Sequence, residues 1–378
     1  HWWNYYTRSI AHNTLLIFDK SERFVRGSKE YSNDGGQWFS APVQAYPTIE
    51  EIGPAGPNAL DGIIRYENTP EYTYTSGNAS KAYSAKKLDA ANGFVRNVLF
   101  LRAPSFWPKP VTVVFDSVRS KQSLPATFLL HTANDPVSGA PGTTALGNGQ
   151  YQLGFTAGQE RILTIRNGGG MLTAHTILPL NASVRKVGGA QEGGSGCAQA
   201  HLVTGAQLAN APDCRFTVRR RLDGDNYAWR NQTAGISKQQ SSSSDVGAWR
   251  LEVTAPATPA LNAPEYFLHV LAVADNDGAT APASAPGAVR LAATGGTEAL
   301  LLGEQFQVLF NREVAPAARM DWRSPLAGGA ILATGLKPGA HYALTSTPAG
   351  SGFARSLVET QEGTGTHLSS DQGVLSIE

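Results

Sequence analysis

The sequence predicts an all-β protein with large antiparallel sheets packed face to face, and three observations carry that expectation. Short runs rich in β-branched and aromatic residues recur along the chain. Gly, Pro, Asn or Asp stand close to most of them, as at the ends of strands in antiparallel sheets. No long amphipathic helix pattern competes with them. With 40 Gly and 22 Pro in 378 residues, turns are plentiful enough to join many short strands. Hydrophobic residues at 41% supply a sizeable core, and the length suits two domains or one large sandwich with a small partner.

Taken in order, the first strand expected is Thr14 to Phe18, a buried Leu-Leu-Ile run. Val111 to Phe115, Thr127 to His131 and Arg161 to Ile165 follow, then Trp249 to Val253 and Phe267 to Leu271. The Gly-rich stretch Gly188 to Gly196 and the Gln/Ser tract Gln239 to Asp245 read as loops. Residues 278–296 are rich in Ala, Pro, Ser and Gly and read as a linker. They separate a domain over 1–277 from a C-terminal β-domain over 297–378. In the latter, Gln307 to Phe310 and Ala330 to Ala333 are strands, and Leu336 to Tyr342 reads as strand, turn, strand.

A net charge of +1 argues against a nucleic-acid binder, which needs a strongly basic face. No apolar run approaches the length that spans a bilayer, so no membrane partner is expected. The chain opens at His1 without an initiating Met, and we expect a segment upstream of it. Its two cysteines, Cys197 and Cys214, flank a short stretch, either as a disulfide closing a loop or as separate thiols.

The densest chemistry lies in the first forty residues. Asn4 to Asn13 puts polar, aromatic and cationic side chains directly ahead of the first buried strand. There His12 is placed either to face a cleft and ligate a metal, or to bond backbone as a core histidine. Tyr5, Tyr6 and Arg8 suit either a ligand-facing wall or packing at a domain edge. Asn33-Asp34-Gly35-Gly36 is turn chemistry before it is catalysis. His131 and His269 sit within strand patterns and read as structural. The basic run Arg215 to Arg221 suits either a sulfated sugar or a solvated strand edge, and the edge is the preferred reading.

These segments carry a resemblance. Tyr5-x-x-Arg8-Ser9-Ile10-Ala11-His12-Asn13-Thr14 is similar to the R-[ST]-x-A-H-N-[ST] segment of the heparinase II/III-like polysaccharide lyases, and Asn33 to Gln37 resembles that family's Asn-Asp-Gly-Gly-Gln loop. Tyr72-Thr73-Tyr74 with Ala82-Tyr83-Ser84 resembles its D-x-T-x-A-Y region, although Asn78 to Lys81 replaces the usual acidic start. Phe128 to His131, Gly247 to Val253 and Tyr266 to Leu268 fall in family order. The resemblance runs from His1 to about Asp277.

The resemblance implies a central β-supersandwich followed by a smaller C-terminal β-sandwich, with an N-terminal helical toroid that this chain lacks. It implies β-elimination at a uronic acid: the carboxylate is neutralised, the C5 proton is removed, and the C4 oxygen leaves. The substrate expected is an anionic polysaccharide, heparin or heparan sulfate first, alginate or another glycosaminoglycan next. Tyr5, Tyr6 and Arg8 would bind it, Arg8 through a carboxylate or sulfate. His12 matches a structural zinc ligand whose companions lie upstream of His1, since no His-x-His occurs here. The catalytic Tyr also belongs to the toroid, so the active site is incomplete in this chain. The missing toroid is one expected partner, a homodimer is allowed, and the location is secreted or periplasmic in a bacterium. The alternative is a non-catalytic carbohydrate-binding or structural β-sandwich. A glycoside hydrolase would need paired carboxylates, for which the sequence has no signal.

Overall fold

A computed structural model describes residues 5, 8–26, 29–37, 48–189, 197–200, 207–211, 214–221, 227–231, 248–361 and 364–378. Tyr6, most of the Gly188 to Gly196 loop and the Gln239 to Asp245 tract lie outside the described residues. The chain is all-β, and its sheets stack in layers.

The first main layer is a six-stranded antiparallel sheet in the order Leu15–Ile17, Ala126–Thr132, Trp249–Thr254, Ser183–Gly188, Gln150–Leu153 and Thr143–Gly147. Beneath it lies an eight-stranded sheet ordered Gly62–Asn68, Tyr72–Asn78, Phe94–Leu101, Val111–Arg119, Pro264–Asp275, Gly170–Leu178, Arg161–Asn167 and Val137–Ser138. Two five-stranded sheets built from residues 288–377 follow.

Alternation explains why the layers stack. In Val111–Arg119, Val114 and Val118 enter the core shared with the six-stranded sheet. Val111, Val113 and Phe115 point the other way, into a core shared with Leu300, Leu302, Val308 and Phe310 of the C-terminal sandwich. A strand buried on both faces has little use for polar positions, hence the run Val-Thr-Val-Val-Phe. Phe115 stacks on Phe310 with centroids 5.1 Å apart, joining the layers directly. A third core, with Met320, Trp322, Tyr342 and Leu357, lies between the two C-terminal sheets.

The stretch expected as a linker differs from that expectation at its end. Ala288–Leu291 pairs with Thr297–Leu302, and Ala293–Thr294 pairs with Arg319–Ser324. Val289 and Leu291 alternate well enough for a strand, although the surrounding Ala, Pro and Gly hide it.

On the outer side of the six-stranded sheet lies a fourth apolar cluster: Tyr5, Ile10, Leu16, Leu129, Phe216 and Val218. It joins the N-terminal segment to a four-stranded sheet in which Thr217–Arg221 is an edge strand. Cys214, just before that strand, is buried and disulfide-bonded, and Cys197 is the only other cysteine. Among the described residues no helix is long and apolar enough to cross a membrane.

Candidate functional site

The outer face of the six-stranded sheet is assembled from segments far apart in the chain. Strand register puts Arg250 beside His131, Glu252 beside Leu129, Arg185 beside Glu252, and Gln150 beside Val187. With period two, all these side chains point away from the inter-sheet core. The N-terminal segment crosses this face. Leu129 N–H donates to Thr14 O at 2.9 Å, and His131 N–H donates to Asn13 Oδ1 at 2.7 Å.

A charged network fills the face. Arg250, 1% exposed, donates from Nε to Glu252 Oε1 at 2.9 Å, from Nη2 to Thr217 O at 3.0 Å and from Nη1 to Tyr5 Oη at 3.2 Å. Arg185 meets the other Glu252 oxygen through Nε at 3.0 Å and reaches Gln150 Oε1 at 3.0 Å. Burial alone would raise the Glu252 pKa, but Arg250 and Arg185 override it and hold the carboxyl at about 2. Glu252 is therefore ionised at any ordinary pH.

The Asn33 to Gly36 loop forms the adjoining wall. Asn33 Oδ1 accepts the N–H groups of Gly35 at 3.1 Å and Gly36 at 2.9 Å, the turn its sequence predicts. Gly35 has φ +102°, and a Cβ there would lie 2.6 Å from the Ile17 carbonyl carbon and the Phe18 nitrogen. Only glycine lets this loop lie against the first strand, where Ile17 N–H donates to Gly35 O at 2.7 Å. Asp34 is buried, ion-paired with Arg8, and accepts Arg219 N–H at 2.9 Å. Burial pushes its carboxyl up, against the pull of Arg8 and the Arg219 N–H.

Behind the loop, Lys87 is 0% exposed and pairs with Glu22 at 2.5 Å, while Asn33 Nδ2 donates to the same oxygen at 2.8 Å. Burial raises the Glu22 pKa and lowers that of Lys87, each opposed by the other's charge. Tyr83 donates to Leu15 O at 2.7 Å. Tyr5 and the segments Arg8 to Ile17, Asn33 to Gly36, Tyr83 to Lys87, His131 and Arg250 to Glu252 thus meet in one place.

The sequence candidates take distinct places in it. Tyr5 is 2% exposed, edge-on to Phe216 at 5.2 Å and bonded to Arg250, so packing is the role its surroundings give it. Arg8 is partly exposed and paired with Asp34. His12 is exposed at the end of the short helical turn Ser9–Ala11, its backbone N–H bonded to Ser9 O at 3.1 Å. His131, partly buried beside His12, is pushed down to about 3 by burial and by Arg250, and is therefore neutral. Among the described residues no group of three or more His, Cys, Asp or Glu could hold a metal ion. On its own, the described part of this chain does not fit a zinc centre.

Sequence reasoning passed over Arg185, Arg250 and Glu252 as site residues and weighed Arg219 only as part of a basic run. One signal was present: in Trp249–Thr254 the charges alternate with apolar residues, so both leave the core on one face. Arg219 also departs from the solvated-edge expectation. Its strand is an edge, but its guanidinium lies 4.0 Å over the Phe18 ring.

No family model matches this chain, and no curated protein matches it in sequence. Among solved structures it is similar to a mutant of the heparan sulfate lyase HepC from Pedobacter heparinus, with a TM-score of 0.29 and 8% identity. That match covers 76% of this chain and 35% of the other. A superposition this loose adds nothing to what the residues themselves support.

Proposed function

We propose that the outer face of the six-stranded sheet is the sandwich-side wall of a polysaccharide lyase that binds a uronate-containing polymer and cleaves it by β-elimination. The observation that carries this reading is the excess of cations on one face. Among the described residues, Arg8, Arg185, Arg219 and Arg250 share it with two carboxylates, Asp34 and Glu252. Arg8 and Arg185 keep part of their surface accessible and suit bidentate contact with a carboxylate or sulfate. A uronate carboxylate neutralised there makes its C5 proton more acidic, because the charge that develops in elimination falls on that group. Under this reading the proton acceptor would come from a helical toroid outside this chain, and a zinc ion at His12 would need companions that the described residues do not supply. Heparan sulfate or heparin is the first substrate to test and alginate the next. Export belongs to the proposal, and the Cys214 disulfide suits an oxidising compartment.

The test is calorimetric titration of the chain with heparan sulfate, alginate and a neutral glucan, with and without Arg185→Met. Anionic polymers should bind, the substitution should weaken them at least about tenfold, and the glucan should not bind. Equal binding of the neutral polymer defeats the reading. A second reading, a non-catalytic carbohydrate-binding sandwich, is favoured by the burial of Tyr5 and Arg250 within their own network. The two part on whether ultraviolet-absorbing unsaturated uronate accumulates once the upstream segment is joined to the chain.

A further inference from the structure

The eight-stranded sheet and the C-terminal sandwich do not close on each other along their whole boundary. An open groove of about 530 Å3 is bordered by Ile64, Ala91, Asn92 and Val314. Ile64 is 38% exposed and gives the groove an apolar floor, while the Lys81–Asp61 ion pair, 2.6 Å, stands at its rim. Ile64, Asn92 and Val314 also border a recess of about 20 Å3 that continues from it. That is room for one water or one oxygen-sized group. Arg65, Arg119 and Arg312 line the recess against one carboxylate, Glu313, with Ser76, Asn97 and Ser117 among them.

The three guanidinium groups are not equally engaged. Arg312 is held by Glu298, Nε to Oε2 at 3.2 Å, and lies over the Tyr266 ring. Arg65 donates Nη1 to the carbonyls of Leu336 at 2.7 Å and Gln372 at 2.9 Å, and among the described residues it has no carboxylate partner. Arg119 touches Glu313 through Nη2 at 3.4 Å, while its Nε is buried with no acceptor. A buried donor without an acceptor is costly, and an oxyanion oxygen in the recess would satisfy it.

We propose that this groove binds a saccharide unit bearing one oxyanion group, a carboxylate or a sulfate. One oxygen enters the recess toward Arg119, and the C–H face of the ring rests on Ile64 and Val314. Asn92 and the Lys81–Asp61 pair, which border the wider groove, suit the sugar hydroxyls. This site lies on the opposite side of the eight-stranded sheet from the basic outer face, and the two readings stand or fall separately.

The test uses the whole chain in low salt, titrated by calorimetry with a carboxylated, a sulfated and a neutral oligosaccharide of equal length. Arg185→Met is present throughout to weaken the basic face, and each groove variant is compared with that single substitution. Arg119→Met removes the donor at nearly constant volume, and Ala91→Trp, at an exposed position, fills the groove without removing a charge. Each should weaken the anionic ligand by about tenfold or more with an unchanged melting temperature. Whichever charged oligosaccharide shows that loss identifies the oxyanion. If both variants bind as the parent does, or if the neutral sugar binds equally well, the proposal is overturned.

Discussion

Arg250 and Glu252 leave the same face of one strand two residues apart, and Arg250 Nε meets Glu252 Oε1 at 2.9 Å with both groups almost wholly buried. Neither charge reaches water, so each depends on the other, and Glu252 depends also on Arg185. Breaking such a pair from one side leaves a buried charge uncompensated, which costs more than replacing both partners. Glu252→Gln should therefore destabilise the chain by about 3–5 kcal/mol, and Arg250→Met/Glu252→Leu should recover a large part of that. Urea denaturation of the three chains decides it. A double substitution no better than the single one would mean that the pair is a net source of stability.

The same pair sets an acid limit. The folded-state pKa of Glu252 lies at about 2, below the ordinary carboxylate value. Its contribution is fully present above about pH 4.5 and is lost as pH falls toward 2. Unfolding free energy measured from pH 5 to pH 2 should fall in the parent, with a shallower slope in the double substitution.

Glu265 predicts the opposite slope. It accepts Ala126 N–H at 3.0 Å, its other oxygen is buried without a partner, and burial raises its pKa to about 7. A folded state that holds this proton more tightly than the unfolded chain loses stability as pH rises from about 4.5 to 7. The loss is on the order of 3 kcal/mol. Glu265→Gln should flatten that part of the profile and leave the chain more stable than the parent at pH 8. An unchanged profile would place the buried acid elsewhere.

Arg8 serves Asp34, and under the proposed function it also serves substrate. The two roles separate by substitution. Arg8→Met alone should destabilise, because Asp34 stays buried beside no counter-charge except those behind it. Arg8→Met/Asp34→Asn should fold nearly as well as the parent yet bind anionic polysaccharide at least about tenfold more weakly. Full binding by the double substitution would make Arg8 a structural residue only.

The two loop glycines should differ. At Gly35 an added Cβ would meet backbone at 2.6 Å with φ at +102°, so Gly35→Ala should cost upwards of about 2 kcal/mol with no local rescue. At Gly36 the obstacle is the Ser9 side chain, with Oγ at 2.5 Å, so Ser9→Gly should rescue Gly36→Ala. Melting temperatures of the four chains check both statements. Rescue of Gly35→Ala by the same change would refute the contact assigned to it.

Local chemistry was legible in the sequence. The strands expected from β-branched and aromatic runs form, from Leu15–Ile17 through Val111–Arg119 to Ala330–Thr334, because alternation and turn residues act within a few positions. Leu336, by contrast, makes only an isolated bridge to Ala317 before the strand His341–Ala349. The turn at Asn33 follows from its own side chain and two glycines for the same reason. What the tertiary structure decided is where those strands stack and which charges meet. Val111 and Val114 look alike in sequence, yet one faces the C-terminal sandwich and the other the six-stranded sheet. Arg185, Arg219 and Glu252 are ordinary strand charges until register and layering carry them, from positions far apart, against Arg250 and Asp34. A strand's own residues state its period and its two faces. Only the packing of other layers states what each face will touch, and with it the burial that turns a charge into part of a site.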